Sequence, residues 1–246
     1  MQIATGGSML NFGYWSLNHA DPISAQNNLC MIFADIAELS SAKHVVDVGS
    51  GLSAPSKLWR DNFPNIDLYD ININFKQLSY SGIQKNIEFL NATSTKLPIA
   101  SESVDRVLVL ESAQHFKPLS DFILESKRIL IKSGLLVIAI PITTEKSSFG
   151  KLGVLKFTWS SEHYTLDYLK RLLNDAGFTI SAEQFIGSNV YPPLADYYVK
   201  NRAHLKKLIL SNYSQYVEKI LFASLLKMKK TSEEKIIDYV LLKCRL

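Results

Sequence analysis

Only two cysteines, Cys30 and Cys244, occur in 246 residues, and both are expected to be reduced and structural. Long apolar runs are missing as well. The longest, Leu135 to Ile142, has eight residues including Pro141, far short of the roughly 20 that span a bilayer, so no segment is expected to cross a membrane. The opening MQIATGGSMLNFGYW lacks both the basic and the apolar stretch of a secretory signal, which points to the cytosol. There is no internal repeat and no low-complexity tract. The five histidines show no metal-ligand spacing, and neither C-x-x-C nor H-E-x-x-H occurs, so no metal is expected. Excess charge of one sign is small: 27 basic against 23 acidic residues, a net charge of +4, which does not suggest nucleic acid. Its distribution is uneven. Residues 200–246 carry eleven Lys or Arg against Glu218, Glu233, Glu234 and Asp238. A solvated helix face is the ordinary explanation, and an anionic partner or membrane surface the other.

The composition, 47% hydrophobic and 20% charged, supplies a sizeable core and excludes a disordered or collagen-like chain. From about Ser41 to Gln184, short β-branched runs alternate with longer amphipathic ones, the pattern of strand-helix-strand units in an α/β protein with a parallel sheet. Strands are predicted at His44–Val48, Ile66–Tyr69, Ile87–Leu90, Val104–Leu110, Gly134–Ile140 and Phe178–Phe185. A helix beginning at Asp121 should stop at Gly134, and another from Thr165 to Ala176 at Gly177. The first 40 residues contain a helical pattern from Pro22 to Leu39. A turn-rich IGSNVYPPLADYY leads to helices near Leu194–Leu210 and Tyr213–Lys229, and the apolar Lys235-IIDYVLLKCRL reads as a final buried strand.

The most informative segment is His44-Val-Val-Asp-Val-Gly-Ser-Gly51. Glycines at 49 and 51 let the backbone approach a ligand, and the helix that follows offers unpaired N–H groups. Asp47 stands just before the first glycine, where it would repel a pyrophosphate and attract a cation. About 19 residues on, the second strand ends in Asp70, an acid placed to accept hydrogen bonds from both hydroxyls of a ribose. A ligand with a cationic amino-acid end and a nucleoside fits both carboxylates, which favours S-adenosylmethionine over NAD.

At these residues the chain resembles the class I, Rossmann-like S-adenosylmethionine-dependent methyltransferases. Lys96-Leu-Pro-Ile, Ser103-Val-Asp-Arg-Val and Glu125-Ser-Lys-Arg-Ile-Leu-Ile-Lys-Ser-Gly-Leu-Leu extend the match, in the family's order, and the resemblance covers roughly Asn11 to Leu246. Asn11-Phe-Gly-Tyr-Trp15, Glu111-Ser-Ala-Gln-His-Phe116, Ala176-Gly-Phe178 and Ile237-Asp-Tyr-Val look like its small-molecule branch, which includes the ubiquinone/menaquinone, tocopherol and natural-product enzymes. The resemblance implies a seven-stranded, mainly parallel sheet with helices on both faces and an antiparallel last strand. It implies one domain over residues 1–246: a helical cap or lid at 1–40, a Rossmann-like core at 41–190, a helical insertion at 191–231 and the last strand at 232–246.

It further implies that Gly49, Ser50 and Gly51 approach the methionine moiety, with Asp47 orienting the loop or the amine, Asp70 holding the ribose and Ile71 packing on adenine. Thr93 stands where the family has an acid for the adenine amino group, so its hydroxyl and the Ser94 N–H are the substitutes. Ser53 replaces the family's third glycine. Tyr14 and Trp15, with Phe12, would close over the methionine end, and an aromatic face near a sulfonium adds cation–π attraction.

Methyl transfer is an in-line displacement, so holding the nucleophile near the methyl carbon and excluding water carry most of the catalysis. His115, past the fourth strand, is the candidate base or positioner, and Glu111 a second contact to cofactor or acceptor. His163, Tyr191 and Tyr197, with Trp15, are candidates for the acceptor side. The expected partner is a small-molecule acceptor, O-methylated at a natural-product hydroxyl and releasing S-adenosylhomocysteine. N- or C-methylation of a heterocycle or quinone and a non-catalytic binding module of the same fold are the alternatives, and a homodimer is left open. Three further readings fit less well. A hydrolase nucleophile elbow fails at Pro55, NAD chemistry fails at the third glycine and Asp47, and nucleic-acid methylation lacks an N-P-P-Y-type motif.

Overall fold

The computed structural model describes residues 7–80, 86–145 and 150–246; the first six residues of the expected cap lie outside them. The chain divides into two compact units. One comprises Cys30–Ile140, Asp167–Gln184 and Val240–Leu246, and the other the segment up to Leu29, Pro141–Leu166 and Phe185–Tyr239.

Seven strands form one sheet: β1 (His44–Val48), β2 (Asp67–Ile71), β3 (Ile87–Leu90), β4 (Val104–Leu110), β5 (Leu130–Thr143), β6 (Thr179–Phe185) and β7 (Ile237–Arg245), ordered β3-β2-β1-β4-β5-β7-β6. The first five pair in parallel. Ile186 donates its N–H to the Tyr239 carbonyl, and the Ser181 hydroxyl donates to that of Lys243, so β6 and β7 run in opposite directions. Central strands are apolar on both sides because helices cover both faces. Val45, Val46, Val48, Val107, Leu108 and Val109 are all buried.

Helices α1 (Pro22–Ile36), α2 (Ala54–Asn62), α3 (Phe75–Tyr80), α4 (Leu119–Ile129), α5 (Leu155–Thr158) and α6 (Leu166–Asp175) precede the pair α7 (Gly187–Leu210) and α8 (Gln215–Glu233). α4 buries Leu119, Phe122, Ile123, Ser126 and Ile129, one stripe at helical spacing. α6 ends as expected. Gly177 has φ +92°, and the N–H groups of Phe178 and Gly177 close onto the carbonyls of Leu173 and Asn174, the paired bonds of a glycine-stopped helix.

Two sequence expectations are corrected. Gly134 does not stop a helix: α4 ends at Ile129 and β5 begins at once. Val104 pairs with Leu130 but Arg106 with Leu135, so residues 131–134 form a bulge. Glycine is needed there because a Cβ would lie 2.9 Å from the Ile131 carbonyl oxygen, which cannot move aside. The stretch around Pro192 and Pro193 is not a turn but the second to third turn of α7. Proline at 193 leaves the Asn189 carbonyl without its intrahelical donor, and the Trp15 N–H takes that carbonyl at 2.8 Å. Gly187 opens the helix where a Cβ would sit 2.4 Å from Asp238 Oδ1, which accepts the Gly187 N–H at 3.0 Å.

Trp59 on α2 is fully buried. Its indole N–H donates to the Cys30 carbonyl at 2.8 Å, and its ring stacks on Phe33 with centroids 5.9 Å apart. Trp59→Ala should therefore cost about 3–5 kcal/mol, from lost burial, a cavity and one lost hydrogen bond. A urea unfolding curve with unchanged slope and a lowered midpoint is the expected result.

Candidate active site

Strand β1 delivers the chain into a turn whose path is dictated by a close approach. A Cβ on Gly49 would stand 2.5 Å from Ser112 Cβ, and the residue holds φ +79°. Ser112, just after β4, donates its hydroxyl to the Val48 carbonyl at 2.6 Å and so stitches the ends of β1 and β4 together. The N–H groups of Gly49 and Ser50 both reach the Ile71 carbonyl, at 2.7 and 3.3 Å. Gly51 (φ +58°) offers its carbonyl to the Asn72 side-chain amide at 3.0 Å. Ser53, where the family has glycine, also sits at φ +57°, a conformation that costs a non-glycine residue about 1 kcal/mol.

Asp47 and Asp70 are direct neighbours in the β1–β2 register, and both are buried. Ser56, one turn into α2, places its hydroxyl 3.0 Å from Asp47 Oδ2 and 2.6 Å from Asp70 Oδ1. One hydroxyl has one proton to give, so serving both acids requires a proton on one of them. Burial, reinforced by the Asp70 charge, pushes the Asp47 pKa well above its ordinary 3.8. Burial likewise raises Asp70 to about 7, against the Ser53 and Ser56 hydroxyls beside it and the Lys57 charge. Asp70 Oδ2 is buried with no hydrogen-bond partner. An acceptor oxygen left open at the carboxyl end of a parallel strand fits a hydroxyl-bearing ligand such as a ribose.

Asparagines brace the neighbouring loops. Asn91 donates to the carbonyls of Asn72 and Ile73, and Asn72 in turn to Gly51, so the loops after β1, β2 and β3 are tied in series. Ile71 is 1% exposed, with its side chain enclosed by protein; its carbonyl is the part that meets the glycine loop. Thr93 lies at the surface with its hydroxyl 2.7 Å from that of Thr95 and accepts the Thr95 N–H, so it shapes a local turn while Ser94 is half-buried beside it.

At the end of β4, Glu111 is half-buried and holds φ +53°, an uncommon conformation for a residue with a side chain. Its N–H reaches the Ala139 carbonyl and its own carbonyl accepts from the Gln114 amide at 2.7 Å. The buried Gln114 thus sets the short turn Ala113–His115. His115 is exposed there, with Gln114 Nε2 3.5 Å from its Nε2. Partial desolvation of the ring, then the Lys117 charge, hold its pKa below the ordinary 6.5 and keep it neutral at pH 7.

The remaining expected residues belong to the other unit. Tyr14 is half-buried and anchored by its backbone, its N–H on the Ala25 carbonyl and its own carbonyl receiving the Asn28 amide. Trp15 is 5% exposed, donates its indole N–H to the Phe12 carbonyl at 3.0 Å and lies 5.3 Å from the Tyr197 ring. Tyr191, expected to line an acceptor pocket, is fully buried as the hub of a cluster with Phe12, Trp159 and Tyr239. His163 meets the edge of Trp159, whose buried indole N–H has no partner.

The structure thus brings Asp47, Gly49, Ser50, Gly51, Asp70, Thr93, Ser94, Glu111 and His115 into one unit, and Tyr14, Trp15, His163, Tyr191 and Tyr197 into the other. Sequence reading missed Ser56, Asn72, Asn91, Ser112, Gln114 and Trp159. Ser56, in the first helical turn after the glycine loop, and Asn72, next to the strand-ending acid, had a positional signal. Among the described residues, no group of three or more His, Cys, Asp or Glu could hold a metal ion, and no helix is long and apolar enough to cross a membrane.

Comparison with known proteins adds independent findings. A family model described as a methyltransferase domain matches residues 46–138. The chain is 28% identical to the erythromycin 3''-O-methyltransferase of Saccharopolyspora erythraea over 250 residues, covering 94% of this chain and 79% of that one. Among solved structures, a cyclopropane synthase of Mycobacterium tuberculosis superposes with a TM-score of 0.81 at 14% identity, covering 97% of this chain and 90% of the other. A geranyl diphosphate methyltransferase gives 0.78 at 12% identity, over 96% and 89%.

The buried acid pair sets a pH dependence. An acid whose folded pKa is raised is protonated longest in the folded state, so its contribution falls as pH climbs from about 4 to about 7. Asp70→Asn removes that cost. The ligand-free variant should match the wild type near pH 4 and exceed it above pH 7 by roughly 2–4 kcal/mol. Denaturant midpoints across this range test it, and a constant difference at every pH would contradict a raised Asp70.

Proposed function

We propose that the chain, which carries a methyltransferase domain match over residues 46–138, is a class I S-adenosylmethionine-dependent methyltransferase that methylates a hydroxyl oxygen of a small natural product. The observation that carries the cofactor half of this reading is the buried, unpartnered Asp70 Oδ2 beside a loop of left-handed glycines. The acceptor half is supported by the O-methyltransferase relative of Saccharopolyspora erythraea and by a neutral histidine on the turn after β4.

When bound, S-adenosylmethionine supplies an electrophilic methyl group on a sulfonium and leaves as S-adenosylhomocysteine. Asp70 would hold the ribose hydroxyls through Oδ2, which is buried without a hydrogen bond of normal geometry. Hydrogen bonds from a ribose would favour the ionised form of Asp70. Gly49, Ser50 and Gly51 would bring backbone close to the methionine end, along a path open only because a Cβ at 49 is absent beside Ser112. Thr93 and Ser94 provide the polar edge for adenine. His115, held neutral at pH 7, would take up the acceptor's hydroxyl proton, and Glu111 would orient the acceptor from its left-handed backbone position. In the second unit, the half-buried Tyr14, His163 and Tyr197 are the aromatic side chains suited to an apolar acceptor, whereas Tyr191 and Trp15 are taken up by core packing.

Isothermal titration with S-adenosylmethionine and S-adenosylhomocysteine should give binding that NAD does not, and Asp70→Ala should weaken it by about 10- to 100-fold through loss of charged hydrogen bonds. Unchanged affinity would remove Asp70 from the site. His115→Ala should lower kcat by about 10²- to 10⁴-fold while sparing cofactor affinity. In the wild type, the rate should fall as pH drops through a value below 6.5, where the imidazole gains a proton, and this acid limb should be absent from the variant.

A further inference from the structure

The helix pair α7–α8 carries a surface that methyl transfer does not use. Between Asp196 and Glu233 the sequence holds eight Lys or Arg and a single acid, Glu218. That acid is withdrawn from the surface. Its side chain is fully buried, bound by Arg202 Nε at 2.8 Å and approached by the Tyr198 hydroxyl at 3.4 Å, while the Arg202 guanidinium lies 3.4 Å from the centre of the Phe222 ring. The contacts of Tyr198 with Phe222 and of Arg202 with Glu218 make the helices antiparallel, joined by a short turn at residues 211–214.

At that turn the pair exposes apolar side chains rather than hiding them: Leu208, Leu210, Tyr213, Tyr216, Val217 and Ile220, with Tyr216 76% and Tyr213 54% exposed. Lys207 and Lys219 are exposed among them and Lys206 is half-buried. On α8, Tyr216, Ile220, Ala223 and Leu226 follow one another at helical spacing along the outer face, interleaved with Lys219, Lys227 and Lys230. Exposed apolar and aromatic residues with lysines between them make a surface that gains both from apolar burial and from negative charge.

We propose that the α7–α8 turn is a docking tip for the surface of an anionic phospholipid bilayer. Tyrosines lie where an apolar ring and a polar hydroxyl are both satisfied, at the level of lipid headgroups. Lysines bury their stems beside apolar neighbours while their ammonium groups reach the phosphates. The bilayer's negative surface supplies the charge that the tip lacks, because its only acid is already neutralised by Arg202. A second copy of this chain is disfavoured as occupant, since two such tips would bring lysines against lysines. A helix end, unlike a groove, offers no seat for a partner's helix.

Flotation of the full chain with phosphatidylcholine vesicles, with and without phosphatidylglycerol, tests the assignment. Binding to the anionic vesicles should exceed binding to the neutral ones by roughly tenfold or more and fall as salt is raised. Replacing the exposed Lys207 and Lys219 together by Gln, or Tyr216 and Ile220 together by Ser, should each lower the bound fraction by roughly tenfold or more. Unfolding midpoints and affinity for S-adenosylmethionine should stay unchanged, so a failure here is distinct from a failure of the cofactor reading. No flotation of the wild type, equal flotation with neutral vesicles, or indifference to both sets of substitutions overturns the proposal. So does sedimentation that shows a dimer dissolved by the Tyr216 and Ile220 changes, which would assign the tip to a second copy.

Discussion

Everything in the candidate cofactor site depends on two strand ends meeting where one of them has no side chain. The 2.5 Å that would separate a Cβ at position 49 from Ser112 leaves room for glycine alone. With the Ser112 hydroxyl on the Val48 carbonyl, β1 is held against β4, and the loop must turn toward β2. There the Ile71 carbonyl collects two of the loop's N–H groups, and Asn72 binds Gly51 from the same strand end. The glycine loop is thus held by contacts from both flanking strands, which places it on rigid elements.

The same closeness creates an electrostatic problem. Parallel register sets Asp47 beside Asp70, and neither reaches solvent. Ser56 eases the conflict but has only one proton for two carboxylates. The ligand-free site therefore holds an unfavourable charge, which a ligand's hydroxyls and a cationic amino-acid end can relieve. A ligand that relieved this conflict would draw part of its affinity from strain already present in the protein.

Much of this was legible in the sequence because strands and glycine loops announce themselves locally. β1, β3 and β4 match their expected residues, since apolar, β-branched runs bounded by polar turns have one dominant explanation. The glycine loop and its two acids follow from spacing alone. Reading failed where a residue's usual meaning was overruled by its partners. Gly134 and the Pro192–Pro193 pair are ordinary stop signals, but a bulge in β5 and an outside donor to Asn189 gave them other work. Ser56, Asn72 and Asn91 were invisible for another reason. Single polar residues in loops carry no periodicity, and their importance lies in which distant carbonyl or carboxylate they meet.

A proline inside a helix is commonly counted as damage, yet Pro193 turns α7 into a connector. The carbonyl it frees at Asn189 binds the Trp15 backbone, and the Asn189 side chain reaches back to the Trp15 carbonyl, a tie across 174 residues of chain. The stronger half of that tie uses main-chain atoms at both ends, so it is indifferent to which side chains stand at 15 and 189. Sequence drift in the N-terminal segment can therefore proceed without loosening its anchor, while the constraint is recorded at a position that touches neither end of the bond. A survey of tolerated substitutions would find it at Pro193, in the middle of a helix, and would misread it as a matter of helix stability.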